Sequence, residues 1–243
     1  MKVSLFIPCY VDQLYPQIGL AMAGVLERVG HEVDYPPGQT CCGQPAFNCG
    51  FQDDAREVAK HFLKTFADAE LIGVPSGSCA TMVRVFYRDL FEGTDLAQQA
   101  AAVAERTYEF SELLVDKLGV TDVGASLSGR ATFHDGCHGL RELGIKDAPR
   151  KLLANVQGLE LIEMAEAETC CGFGGTFAVK FPQISTAMAE VKSLSIDETE
   201  AQYVISNDPS CLLQISGYLS RQEKLQAKCL PKCLHLAEVL AGQ

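Results

Sequence analysis

Cysteine occurs in this chain as one pattern written twice. The first copy runs Cys9, then Cys41-Cys42-Gly43, then Cys79; the second runs Cys137, then Cys170-Cys171-Gly172, then Cys211. The gaps before the vicinal pairs hold 31 and 32 residues, and the gaps after them 36 and 39. Equivalent cysteines stand 128 to 132 residues apart. Their surroundings repeat as well. Cys9 follows VSLFIP and Cys137 follows ATFHDG; Cys79 follows LIGVPSGS and Cys211 follows YVISNDPS. Each run reads as an apolar strand that gives way to a turn and then to cysteine. Self-similarity of this extent marks an internal duplication.

Between the cysteines the periodicity is helical. After Pro16, the residues Ile18, Ala21, Met22, Val25, Leu26 and Val29 recur at helical spacing, and Gly30 is a stop signal. Pro149, Leu152, Leu153 and Val156 are the second-half counterpart. Residues 53–69 and 81–91 also read as helices, and 96–118 as a longer one that closes the first half. The stretch GVTDVGASLSG, 119–129, reads as a linker. Strands alternating with helices predict an α/β architecture. The expectation is two homologous lobes, 1–118 and 130–243, each a mainly parallel sheet flanked by helices. The cysteine-bearing loops then lie at strand C-terminal ends, where open α/β sheets place ligands.

Neighbouring residues on a strand face opposite ways, so two adjacent thiols reach one ligand only if the backbone turns at the pair. Gly43 and Gly172 permit that turn, and Gly174 and Gly175 extend the freedom in the second copy. Exposed N–H groups in such a loop are placed to donate to a cofactor's sulfur. Each half offers four thiolates: Cys9, Cys41, Cys42 and Cys79, then Cys137, Cys170, Cys171 and Cys211. Four thiolates suit zinc or an iron–sulfur cluster. Structural zinc sites favour short C-x₂₋₄-C hooks, which the repeated pattern lacks. A vicinal pair fits a cluster of several irons better than two corners of one zinc ion. The expected cofactor is an iron–sulfur cluster, one per lobe, with zinc as the alternative. Cys49, Cys229 and Cys233 fall outside the pattern and read as structural or spare thiols.

Bulk properties narrow the setting. Eleven cysteines in 243 residues are too sparse for a secreted disulfide scaffold. A net charge of −11, without any run of Lys or Arg, argues against nucleic acid or an anionic membrane as partner. Asp12, Gln13 and Pro16 interrupt the N-terminal apolar run, which is no signal peptide, and the longest apolar stretch is too short to span a bilayer. A cytoplasmic location, with reduced thiols, is the expectation.

In HDGCHGLRELG, His138 is a candidate ligand or proton donor, and Arg141 a candidate to offset cluster charge or hold a carboxylate; a local structural role fits each as well. His134 ends an apolar strand and reads as a local hydrogen-bonding residue. Asp135 and Asp208 read as turn formers. The run Gly172-Phe173-Gly174-Gly175 lacks the spacing of a dinucleotide fingerprint.

On these residues the chain resembles the cysteine-rich CCG domain family. The stretches that carry the resemblance are IPCYVD, QTCCGQPAFNCG, PSGSCATM, HDGCHGLRELG, CCGFGGTFAVKFP and HLAEVL, and it spans nearly the whole chain through both copies. That family includes the cysteine-rich subunit of heterodisulfide reductase, the iron–sulfur subunit of glycolate oxidase and iron–sulfur subunits of lactate-utilisation operons, and the resemblance is strongest to the last. It implies an iron–sulfur electron-transfer subunit, or a catalytic one, in a multi-subunit complex oxidising L-lactate to pyruvate. Partners would include a ferredoxin-type iron–sulfur subunit, and the substrate would be a small 2-hydroxy acid. Where heterodisulfide reductase closes each motif with a fifth cysteine, this chain has Met82 and Gln214. Four cysteines per site therefore point to a more ordinary cluster, or to one open iron. Two rival readings remain: a zinc-stabilised scaffold subunit, and a thiol–disulfide reductase subunit of heterodisulfide type.

Overall fold

The computed structural model describes residues 1–226 and 230–242, so Cys229 lies outside the described residues. Among the described residues, eight strands form two four-stranded sheets. The first contains β1 (Lys2–Leu5), β2 (Glu32–Asp34), β3 (Leu71–Val74) and β4 (Thr107–Glu109). The second contains β5 (Ser126–His134), β6 (Gln157–Leu161), β7 (Tyr203–Ser206) and β8 (Lys232–His235). The strand orders are β2-β1-β3-β4 and β6-β5-β7-β8, and the pairing is parallel throughout. The two sheets are thus the same topology executed twice. The central strands β3 and β7 are the apolar runs LIGV and YVIS, as parallel strands covered on both faces must be.

The helix after Pro16 spans Pro16–Arg28, with Gly30 beyond it at φ +85°. The helix expected at 53–69 is Gln52–Thr65. The one expected at 81–91 starts earlier, at Gly77, and passes through a wider π turn at Met82–Phe86 before ending at Phe91.

The long helix expected over 96–118 does not form. A helix covers Ala97–Ala104, and then the chain extends as β4, with Ile72, Gly73 and Val74 opposite Thr107, Tyr108 and Glu109. Thr107 and Glu109 are fully buried. Pairing with a strand distant in sequence overrides the local helical pattern there. Strand β5 begins at Ser126, inside the 119–129 stretch, with a register irregularity up to Gly129.

The sheets share one apolar core. Val3, Leu5, Ile18 and Leu26 from the first half cluster with Phe133, Leu152, Ile205 and Leu236 from the second. The C-terminal helix Leu236–Ala241 lies on Pro16–Arg28, and the Arg28 guanidinium donates to the carbonyls of Leu240 (3.0 Å) and Ala241 (2.9 Å). Among the described residues no helix is long and apolar enough to cross a membrane.

Candidate metal centre

The eight patterned cysteines occupy matching places in the two halves. Cys9 and Cys137 each open a helix just past β1 and β5. Cys79 and Cys211 sit in the first turn of the helices after β3 and β7. The turn before each is held by a polar side chain: Ser76 Oγ accepts from the Cys79 N–H (3.3 Å), and Asp208 Oδ1 accepts from the Ser210 N–H (3.2 Å). The vicinal pairs lie in loops after β2 and β6 and turn at Gly43 (φ +88°) and Gly172 (φ +86°). The turn points each glycine N–H back at the first thiol of its pair, Gly43 to Cys41 Sγ and Gly172 to Cys170 Sγ, both at 3.4 Å.

Within each half the sulfurs form a chain of contacts. Cys9 Sγ lies 3.9 Å from Cys41 Sγ. Cys41 hydrogen-bonds with Cys42, and Cys42 with Cys79. Cys137, Cys170, Cys171 and Cys211 are linked in the same sequence. All the described cysteines are free thiols. A separation of 3.9 Å is far from the ~2.05 Å of a disulfide and near the ~3.8 Å edge of a thiolate tetrahedron with ~2.3 Å arms.

The electrostatics of the two sets match. Hydrogen bonds from Cys42 and Cys9, opposed by burial and helped by the Gly43 N–H, pull the Cys41 thiol down to about 3. Hydrogen bonds from Cys137 and Cys171 pull Cys170 down to about 2. Their donors Cys9, Cys42, Cys137 and Cys171 are pushed up, by that same hydrogen bonding and by burial. The first thiol of each vicinal pair is thus the one most readily ionised, and its donors hold on to their protons. A metal centre taking all four sulfurs as thiolates must expel those protons.

Both sets open on one cavity of about 260 Å³ between the lobes, and all eight patterned cysteines line it. Tyr10 and Phe173 meet edge to face across it at 5.6 Å. Gln44, Asn48, Ser78, His138, Thr176 and Asp208 add polar groups to its wall, and no Lys or Arg does so among the described residues. Gly174 and Gly175 form part of the rim at φ +50° and +62°. The donor set fits a thiolate-bound metal centre, zinc or iron–sulfur: four sulfurs gathered from three loops, with a main-chain N–H on one of them in each half.

Other residues marked by the sequence are placed differently. His138 lines the cavity, its ring edge-on to Phe86 at 6.1 Å. Arg141 is exposed and does not line the cavity. Met82 is fully buried in the apolar core of the first half. Gln214 donates to Ser185 Oγ (2.9 Å), which in turn donates to the Gly172 carbonyl (2.8 Å), so Gln214 braces the second vicinal loop. Cys49 Sγ meets Thr176 Oγ1 of the other half at 3.0 Å. Cys233 lies in β8, where burial pushes its thiol up to about 12. Asp208 holds more than its own turn: Oδ2 accepts the Ser78 N–H (2.8 Å) from the first half. Asp135 is buried against Arg150, at 2.9 and 2.8 Å.

Two residues gain weight from the structure. His134 is fully buried, neither ring nitrogen has a well-formed hydrogen bond, and it lies within 4.8 Å of Cys171 Sγ and Cys211 Sγ. Burial, and then the nearby Lys192 ammonium, push its imidazole down to about 3. Lys192, also fully buried, does not stand out in the sequence. The signal available is positional, since each departs from an apolar residue at the matching place in the first repeat.

Two parallel α/β sheets carrying a doubled Cys-Cys-Gly site define a class. The pattern of the cysteine-rich domain family, CCG, matches residues 3–84 and 131–216, and the chain belongs to that family. Among its relatives, Lactate utilization protein A of Geobacillus sp. (strain WCH70) is 48% identical over 241 residues, covering 99% of each chain. Lactate utilization protein A of Bacillus pumilus (strain SAFR-032) is 49% identical over 241 residues, again covering 99% of each. Lactate utilization protein A 2 of Bacillus cereus (strain AH820) is 46% identical over 243 residues, covering 99% of this chain and 98% of that one. A hypothetical protein from Helicobacter pylori shares the fold, with a TM-score of 0.64 at 11% identity over 98% of this chain and 48% of that longer one.

Proposed function

We propose that each four-thiol set holds an iron–sulfur cluster, 4Fe–4S in type. The chain then serves as an electron-transfer subunit of a complex that oxidises L-lactate to pyruvate. The observation that carries this reading is the convergence of both thiol sets on one cavity. Such clusters supply one-electron chemistry at potentials set by charge, hydrogen bonding and burial. Cys9, Cys41, Cys42 and Cys79 are the ligands of the first, and Cys137, Cys170, Cys171 and Cys211 those of the second. The Gly43 and Gly172 N–H groups offset charge on one ligand sulfur in each lobe. Tyr10 and Phe173 place an apolar ring pair on the wall that both sets share.

Lactate enters through the relatives' name. A lactate carboxylate would find no cationic side chain on the described cavity wall, which favours electron carriage here over substrate oxidation here. In this reading the hydroxy acid reacts on a partner, and a ferredoxin-type iron–sulfur subunit exchanges electrons with this chain in the cytoplasm. His138 is the residue on the wall best placed to handle a proton.

Anaerobic purification with iron, acid-labile sulfide and EPR measurement tests the reading, on the wild type and on Cys42→Ser and Cys171→Ser. Iron with sulfide, and loss of one EPR signal per substitution, is the expected result. Zinc without sulfide would instead make the chain a scaffold. Redox-active thiols without metal would make it a thiol–disulfide subunit.

A further inference from the structure

The two thiol sets are alike in front and unlike behind. Phe6 lies three residues before Cys9, and His134 three before Cys137. Phe62 and Lys192 are likewise equivalent. The helices that carry them, Gln52–Thr65 and Pro182–Glu198, are in register at the vicinal loops. A β-carbon on Gly43 would meet the Ala55 carbonyl oxygen at 3.1 Å, and one on Gly172 the Ser185 carbonyl oxygen at 2.7 Å. Counting seven residues on from Ala55 and from Ser185 reaches Phe62 and Lys192. In the first lobe the Phe6 and Phe62 rings pack edge to face at 4.8 Å, within an apolar cluster that includes Cys42. In the second lobe a histidine and a lysine fill that space.

His134 stands outside the cavity wall, behind Cys171 and Cys211, its ring nitrogens without a well-formed hydrogen bond. Lys192 Nζ donates to the Glu166 carbonyl and to the Ala167 carbonyl (3.4 Å), just upstream of the second vicinal pair. It forms no ion pair among the described residues, and the nearby Asp135 is engaged by Arg150. A buried ammonium ion needs countercharge. Burial pushes the Lys192 ammonium down, and the Cys171 and Cys211 sulfurs, once ionised as ligands of a centre, oppose that push.

We propose that Lys192, assisted by the imidazole of His134, is a built-in countercharge for the second-lobe centre alone. The second centre is then reduced at a higher potential than the first. Lys192 acts through the ligand sulfurs and is a positioning residue, not a ligand. A fixed positive charge and a hydrogen-bond donor behind thiolates both stabilise the more negative, reduced state of a centre. The Phe6–Phe62 pair offers neither. The inference rests on the reading that both thiol sets hold redox centres.

Anaerobic redox titration followed by EPR on the full chain tests it, with each signal assigned by its loss in Cys42→Ser or Cys171→Ser. In the wild type the second-lobe midpoint lies above the first. Lys192→Met shifts the second midpoint to lower potential and leaves the first in place, whereas Lys192→Arg retains most of the wild-type value. The transplant His134→Phe with Lys192→Phe brings the two midpoints together. Coincident wild-type midpoints, or the reverse order, overturn the proposal without any variant. So does a Lys192→Met protein with unchanged iron and sulfide whose second midpoint does not move, or whose two midpoints move alike. Wild-type protein lacking iron and sulfide overturns the cluster reading and this inference with it.

Discussion

Gly77 and Gly139 meet main chain to main chain where the two lobes join: a β-carbon on Gly77 would stand 3.2 Å from the Gly139 Cα. The Gly77 N–H donates to the Asn207 carbonyl (3.3 Å) at the same junction. Both glycines flank cavity-lining cysteines, so the contact sets how closely the two thiol sets approach. Gly77→Val should force the lobes apart. Overpacking of this kind costs about 1–3 kcal/mol. Thermal melting should show a lower midpoint, and an equivalent substitution at exposed Gly24, which has open space around it and lies within the helix Pro16–Arg28, should lower it less.

Gly172 is the less replaceable of the two turn glycines. An L side chain at either left-handed position costs about 1–2 kcal/mol. At Gly172 the added carbon would also lie 2.7 Å from the Ser185 oxygen and 2.9 Å from Met188 Cβ, whereas at Gly43 the nearest atom is 3.1 Å away. Gly172→Ala should therefore lower iron content and the second-lobe EPR signal more than Gly43→Ala lowers the first.

Glu109 makes stability depend on pH. It is fully buried at the end of β4; one oxygen accepts from the Ser111 N–H (2.9 Å) and the Glu112 N–H (3.3 Å), and the other has no partner. Burial, against those hydrogen bonds, raises its carboxyl to about 7. Between the unfolded value of 4.5 and the folded value of about 7, the native state binds the extra proton, so stability falls as pH rises through that window. Glu109→Gln should gain stability relative to wild type at pH 8 but not at pH 4, by at most about 3 kcal/mol. Urea unfolding at the two pH values checks the sign; a gain at pH 4 alone would count against it.

Arg150 holds the buried Asp135 with two hydrogen bonds and stacks over Phe133 at 5.3 Å. Arg150→Met strands a buried carboxylate next to His134, a loss of about 3–5 kcal/mol. The double variant with Asp135→Leu should recover much of that loss. A double variant no more stable than Arg150→Met would show that the ion pair is not the source of the cost.

The doubled lobe and its eight thiols are legible in the sequence because cysteine and glycine do jobs there that no other side chain does. Cys170-Cys171-Gly172 announces both a ligand set and a backbone turn. Strand β4 is not legible, because Thr107-Tyr108-Glu109 owes its extended form to β3, more than thirty residues earlier in the chain. Arg141 looks like a site residue from its nearness to Cys137, yet it sits a full turn further along the same short helix, in solvent and off the cavity wall. Lys192 is hidden for the opposite reason. It sits in an unremarkable helix, and only its match to Phe62 in the other repeat gives it meaning.

The core that Val3 and Ile18 share with Phe133 and Leu236 has a consequence for ancestry. A half-length forerunner would have left that surface bare and could have covered it only by pairing with its twin. In such a pair every substitution lands on both sides at once, and the two halves are condemned to be the same. Within one polypeptide the halves are free to diverge, and they have: His134 and Lys192 stand in one where Phe6 and Phe62 stand in the other.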